Sequence, residues 1–472
     1  MLTSEAVPYA KTGGLGDVSG ALPKALNATR EADACVVLPL YDETRRDLLD
    51  ERPVFENLDV EWLGGVRRTW VWHSEAAGAP SYFIDAPEYF MRGKIYGFGD
   101  DHERFAFFSR AALALLGRLG EAPDVVHLND WQCGFASAWL RASRPHGGFF
   151  GRTRTLFSVH NLAFQGMFDP RELWRLGFRH GEESDYFMQD GVASAMKAGL
   201  TTADALSTVS RRYAEEIQTP EQGYGLDWLL RARRERLVGV TNGVDYEVWN
   251  PETDPHLAAH FSAEDLSGKR ACKLDLLRRF GLPEEADRPV IATVSRLTPQ
   301  KGYDLIREAA GRILETGAFF VALGSGAGEY ESFLQSLRDH APHRVGVYKG
   351  FNEALAHQIE AGADIFLMPS QYEPCGLNQM YSMRYGTVPV VRATGGLDDT
   401  VENFDRERLT GNGFKFRRYH ADSMMGSIYE ALGCYADPEL WRAVQLNGMR
   451  ADNSWEAAAS RYLQIYHAVT TL

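Results

Sequence analysis

Residues 368–398, MPSQYEPCGLNQMYSMRYGTVPVVRATGGLD, read as strand end, acidic loop, helix, buried strand and glycine turn. That order brings a carboxylate and a run of backbone N–H groups to one edge of a sheet, where open α/β sheets bind ligands. The same cadence recurs along the chain. Short β-branched or aromatic runs at 35–38, 125–128, 155–159, 290–294, 319–323, 365–368 and 389–391 each lead into glycine or polar residues and then a helical pattern. Strands alternating with helices predict parallel sheets with helical cover. The runs form two groups, separated by an irregular segment at about 244–265 that contains NPETDP and few apolar positions. The expected fold class is therefore α/β, with two doubly wound domains facing each other across a cleft.

Composition narrows the function. A chain of 472 residues is too long for a single core and suits two or three domains. Its formal charge of -14 argues against nucleic acid as a partner, because polyanions favour basic faces, so any anion site must be local. The N-terminal MLTSEAVPYAK lacks a basic segment followed by an apolar one, and no apolar run is long enough to span a bilayer. No membrane partner is expected, and the expected location is cytoplasmic. The five cysteines are widely spaced and contain no C-x-x-C pair, which indicates neither a disulfide framework nor a zinc site. Only residues 1–4 precede the first turn, which is short for a buried strand and suggests a weak sheet edge or a missing start.

KTGGLGDVSGALPKAL, at 11–26, sets a lysine beside a glycine-rich turn that opens a helix, a combination suited to an anion. A dinucleotide fingerprint competes, but the spacing of Gly14, Gly16 and Gly20 is G-x-G-x-x-x-G, and no ribose-binding acid follows the strand VVLPL. A plain tight turn with Lys11 in solvent is the other alternative. Asp130 and Trp131 follow VVHL, and His160 and Asn161 follow TLFSV, so both pairs stand at carboxyl strand ends. Trp131 serves either as core or as a stacking face. YGFGDDHERFAF, at 96–107, reads as a solvated rim loop with no metal-ligand spacing, and RARRER, at 231–236, as an exposed helix face. SRLTPQKGYD places Arg296 and Lys301 on one loop, where two cations call for an anion; surface ion pairing is the alternative. GSGAGE, at 324–329, is a close-approach turn with or without a ligand.

KTGGLGDV resembles the N-terminal signature of the glycogen and starch synthases, retaining glucosyltransferases of the GT-B fold with two Rossmann-like domains. The resemblance continues through HLNDWQCGFASAWL, SVHNLAFQGMF, TNGVDYEVWNP, SRLTPQKGYDLI and EPCGLNQMYSMRYGTVPVVRATGGL, in order and over essentially the whole chain. It implies an acceptor-side domain at 1–243, a donor domain at 244–453, and a terminal helix at 454–472 that returns to the first domain. It also implies transfer of glucose from ADP-glucose to the non-reducing 4-hydroxyl of glycogen or another α-1,4-glucan, with retention. The ADP or UDP donor choice is not carried by any one residue.

In that scheme Glu373 holds sugar hydroxyls, Arg296 and Lys301 stabilise the leaving diphosphate, and His160 lies against the donor glucose. Lys11, Gly13, Gly14, Asn242, Gly324, Tyr348, Cys375, Gly376, Leu377, Thr394, Gly395 and Gly396 bind the donor, with Thr394, Gly395 and Gly396 offering N–H groups to the diphosphate. Asp17, Asp130 and Trp131 lie on the acceptor side. No Asp-x-Asp for a divalent cation is present, so neither metal nor cofactor is expected. Tyr381 stands where the wider superfamily often has a second acid. A silent glucan-binding relative, or a GT-B epimerase or phosphorylase, is the alternative.

Overall fold

The computed structural model describes residues 1–471; Leu472, the end of the expected terminal segment, lies outside them. The chain divides into two compact units, Met1–Gly243 with Trp455 onward, and Val244–Ser454. Ser454, grouped with the terminal helix on sequence, belongs to the second unit because it bridges Val244 where the chain enters. The Val244 N–H also reaches Asn453 O at 2.7 Å.

The first unit holds strands β1 (Val36–Pro39), β2 (Phe55–Trp62), β3 (Gly65–Ser74), β4 (Ser81–Asp85), β5 (Val125–Asn129) and β6 (Arg154–Val159). It also holds the short β7 (Met167–Phe168), β8 (Met188–Gln189) and β9 (Val192–Ser194), then β10 (Ala205–Thr208) and β11 (Leu237–Gly239). One four-stranded sheet runs β11-β10-β6-β5, all parallel. A second runs β1-β4-β3-β2 and is largely antiparallel, a departure from the doubly wound expectation. In β2, buried Leu58, Val60 and Trp62 alternate with exposed Asn57, Asp59 and Glu61, the period-2 signature of a half-buried strand. The hairpin to β3 turns at Leu63 and Gly64, both at positive φ, as the twist-matched two-residue turn requires. Leu2 bridges Val37 of β1 and Leu128 of β5, so the short first segment joins two sheets and is no weak edge.

Two other sequence expectations change. YGFGDDHERFAF largely belongs to the helix Asp101–Leu119, with Arg104 fully buried and donating to Tyr89 O and Ile95 O. Within RARRER, the Arg233 guanidinium donates to Leu200 O, Thr201 O and Ala203 O at the end of helix Ala195–Thr202, where orphan carbonyls need donors. The helix Trp455–Thr470 lays Trp455, Ala459, Tyr462 and Leu463 on Val18, Leu22 and Leu26 of helix Gly14–Thr29.

The second unit is built on β12 (Val290–Val294), β13 (Phe319–Gly324), β14 (Val345–Lys349), β15 (Ile365–Met368), β16 (Val388–Arg392) and β17 (Phe414–Phe416). All are parallel, in the order β14-β13-β12-β15-β16-β17. Side chains alternate between two cores. Ile291, Phe320, Ile365 and Val390 enter one, and Val290, Phe319, Phe366 and Val391 the other. Burial on both faces is why these strands read as continuous apolar runs.

Candidate active site

In the second unit the loops after β12 and β15 are sewn together at the carboxyl edge of the sheet. Gln371 N–H donates to Gln300 O at 2.7 Å, and Gln300 Nε2 to Tyr372 O at 3.3 Å. This brings Lys301 Nζ to 2.6 Å from Glu373 Oε2, with Ser370 Oγ donating to the same oxygen at 3.0 Å. Both side chains are largely buried, 17% and 8% exposed. Two residues expected to act on different parts of a ligand are thus an ion pair with each other. Arg296 is exposed and has no ion-pair partner or hydrogen-bond acceptor among the described residues. It is a cation left available to an incoming anion.

The amide donors are distributed differently from the sequence expectation. Thr394 N–H donates to Arg392 O, and Gly396 N–H to Glu373 O and Pro374 O, so neither is free for a diphosphate; Gly395 is also engaged. What this turn supplies is close approach. A Cβ on Gly395 would lie 1.9 Å from Glu373 O, and one on Gly396 would lie 2.1 Å from Cys375 O. The glycines therefore clamp the Glu373 loop. Free donors are found instead at Gly376 and Leu377, just before helix Asn378–Arg384, whose amides have no acceptor among the described residues. A helix start leaves such groups unpaired and favours negative charge. Cys375 is buried behind them and its carbonyl accepts from Gln379 Nε2. Gly324 packs its backbone on Ser295, next to Arg296: a Cβ there would stand 2.1 Å from Ser295 O. Tyr348 lies at the end of β14, half exposed, while Phe351 just beyond is 82% exposed.

In the first unit Glu5 occupies the place assigned to an anion. Its carboxylate, 3% exposed, accepts from Thr12 N–H, Thr12 Oγ1, Gly13 N–H and Tyr96 Oη. Gly13 is thereby withdrawn as a phosphate donor, while Gly14 opens the helix Gly14–Thr29. Lys11 pairs with Asp17 at 2.6 Å and is exposed. Trp131 packs edge-on to Phe105 and has Gly166 against its ring, so its core reading holds. Asp130, at φ +56, accepts the His160 N–H at 2.7 Å; its carboxyl is pushed up to about 7 by burial. His160 Nε2 meets Asn129 Oδ1 at 2.9 Å, and burial pushes the ring down to about 4. Asn242 Oδ1 is buried without a partner among the described residues.

Glu5, Asn129 and Ser370 were not singled out by the sequence. An acid in an otherwise apolar turn and a polar residue ending the run VVHLN were the available signals. Among the described residues no group of three or more His, Cys, Asp or Glu side chains could hold a metal ion. Among the described residues no helix is long and apolar enough to cross a membrane.

A parallel sheet whose carboxyl edge carries a Lys–Glu pair, an arginine without a partner among the described residues and two open amides can receive an anionic group there. Residues 1–232 match the family model described as starch synthase catalytic domain, and residues 277–442 that of glycosyl transferases group 1. The chain is 46% identical over 478 residues to a glycogen synthase of Anaeromyxobacter sp. (strain Fw109-5), covering 99% of this chain and 98% of that one. It is 44% identical to a glycogen synthase of Geobacillus thermodenitrificans (strain NG80-2), covering 98% and 96%. Its structure is similar to the catalytic domain of starch synthase IV from Arabidopsis thaliana bound to ADP and acarbose, with TM-score 0.91, 34% identity, and coverage of 100% and 99%. Sucrose-phosphate synthase from Thermosynechococcus elongatus, at 18% identity and TM-score 0.62, shares the fold. The chain belongs to the glycogen and starch synthase family.

Proposed function

We propose that the chain extends an α-1,4-glucan by transferring glucose from ADP-glucose to its non-reducing 4-hydroxyl with retention, and that it works in the cytoplasm. The observation that carries the donor assignment is its similarity, over its whole length, to a starch synthase solved with ADP and acarbose. Glu373 accepts hydrogen bonds from donor-sugar hydroxyls. Gly376 and Leu377 offer amides to the donor, and Arg296, joined by Lys301, stabilises the diphosphate as its charge grows in the transition state. These cations do the work that a divalent metal does elsewhere. His160 contacts the sugar, and Asp130 holds the His160 backbone. A same-face route, with the leaving phosphate helping to deprotonate the acceptor, is favoured over double displacement because no second carboxylate stands out in the sequence as a nucleophile.

Incubation with labelled ADP-glucose or UDP-glucose, with and without glycogen, tests the reading. Label in polymer from ADP-glucose is expected. Label from UDP-glucose alone would overturn the donor assignment, and isomerised sugar or binding without transfer would overturn the reaction.

A further inference from the structure

The side chain of Asn129 has one orientation open to it. Its backbone N–H and its Nδ2 both reach Leu2 O, at 3.1 and 3.0 Å, and a carbonyl can only accept. Nδ2 must face Leu2, which turns Oδ1 toward His160 Nε2, 2.9 Å away. An amide oxygen is likewise only an acceptor, so the imidazole carries its proton on Nε2. Asn129 is fully buried and His160 is 9% exposed, where an unmet polar group is costly and the arrangement is correspondingly firm. The ring is also kept neutral by burial. Its Nδ1 then bears a bare lone pair, and no described residue donates to it.

We propose that Asn129 is a positioning residue that fixes His160 as the Nε2–H tautomer, so that His160 meets the sugar as a hydrogen-bond acceptor through Nδ1. The inference rests on the reading of His160 as a sugar contact. It adds a specificity: the sugar group at that point must donate, as a hydroxyl does, whereas a carboxylate there would set lone pair against lone pair. The short segment before the first turn acquires a role as well. Leu2, through its carbonyl, sets the Asn129 amide and therefore the histidine.

The titratable neighbours leave this state intact. Asp130 accepts the His160 backbone N–H and not the ring. His127, on the same strand as Asn129, is held neutral by burial and bonds Tyr466 and Ser158. Glu5 acts on Asp130 only through space.

The test is nitrogen-15 NMR of histidine-labelled full-length protein, with His160 assigned by difference from His160→Asn. Wild type is expected to show a protonated Nε2 and a bare Nδ1 at pH 7, unchanged down to about pH 5 given its depressed value. Asn129→Asp places a carboxylate beside the ring and is expected to raise its pKa by about one to three units. That variant should gain an acid limb in kcat/KM that wild type lacks. Asn129→Leu is expected to mix the tautomers. A protonated Nδ1 in wild type would overturn the proposal, as would Asn129→Asp with a wild-type pH profile. Wild-type turnover in His160→Ala would instead overturn the sugar-contact reading, whichever tautomer the spectra show.

Discussion

Lys301 Nζ lies 2.6 Å from Glu373 Oε2, so the cation assigned to the leaving group and the carboxylate assigned to the sugar hold each other in place. Removing either leaves the other charge largely buried and unpaired, the costly half of breaking an ion pair. Lys301→Met and Glu373→Gln are each expected to lower kcat and the denaturation midpoint. Together they should do less than the sum, with a coupling of about 1–3 kcal/mol in a double-mutant cycle. Strict additivity in both readouts would mean that the pair has no functional linkage.

Arg296 offers the opposite case, exposed and without a partner. Arg296→Ala is expected to cost about 10²- to 10³-fold in kcat, the scale for a donor to transition-state charge. Its stability should change by no more than about 0.5 kcal/mol, as for other surface sites. Steady-state kinetics beside a thermal melt decides it: full turnover would remove Arg296 from the leaving-group role.

Gly395 sits at φ +45 with Glu373 O where a side chain would begin. Gly395→Ala should destabilise the fold by about 2–4 kcal/mol through clash and backbone strain together, and should abolish turnover by displacing Glu373. Gly328→Ala, where nothing lies within 4 Å of the added methyl, is the matched control. Equal melting temperatures for the two would rule out the clamp.

Asp130 makes stability depend on pH. Burial lifts its carboxyl from 3.8 to about 7, so the folded chain binds that proton more tightly than the unfolded chain, and stability falls as pH rises through this window. His160 works the other way: its ring drops from 6.5 to about 4, so stability falls as pH falls across that range. Asp130→Asn isolates the first effect. The variant should gain on wild type from about pH 4 upward and level off above about pH 7. The gain has an upper bound of about 4 kcal/mol at 1.36 kcal/mol per unit, because Asp130 keeps some exposure. Denaturant melts at several pH values measure it, and a gap independent of pH would refute the assignment.

In the second unit β12, β13, β15 and β16 were legible because they are buried on both faces and read as unbroken apolar runs, whereas β14 and β17, which mix lysine with apolar residues, were not. The β2–β3 hairpin was not, because its strands bury mainly one face and mix charged with apolar residues. Side chains of the site were legible where a motif fixes their spacing, as for Glu373 and Lys301. Hydrogen-bond satisfaction was not: sequence could not say that the Gly13, Thr394 and Gly396 amides are already used and those of Gly376 and Leu377 are open. Nor could it pair Leu2 with Asn129, since that contact joins residues far apart in the chain.

The helix Trp455–Thr470 completes a unit whose other residues end at Gly243. During synthesis the apolar face at Val18, Leu22 and Leu26 must wait, uncovered, until the whole of the second unit has left the ribosome. The first unit to be made is thus the last to be finished, and a nascent chain stalled within the second unit presents a sticky surface to whatever chaperone or aggregate meets it first.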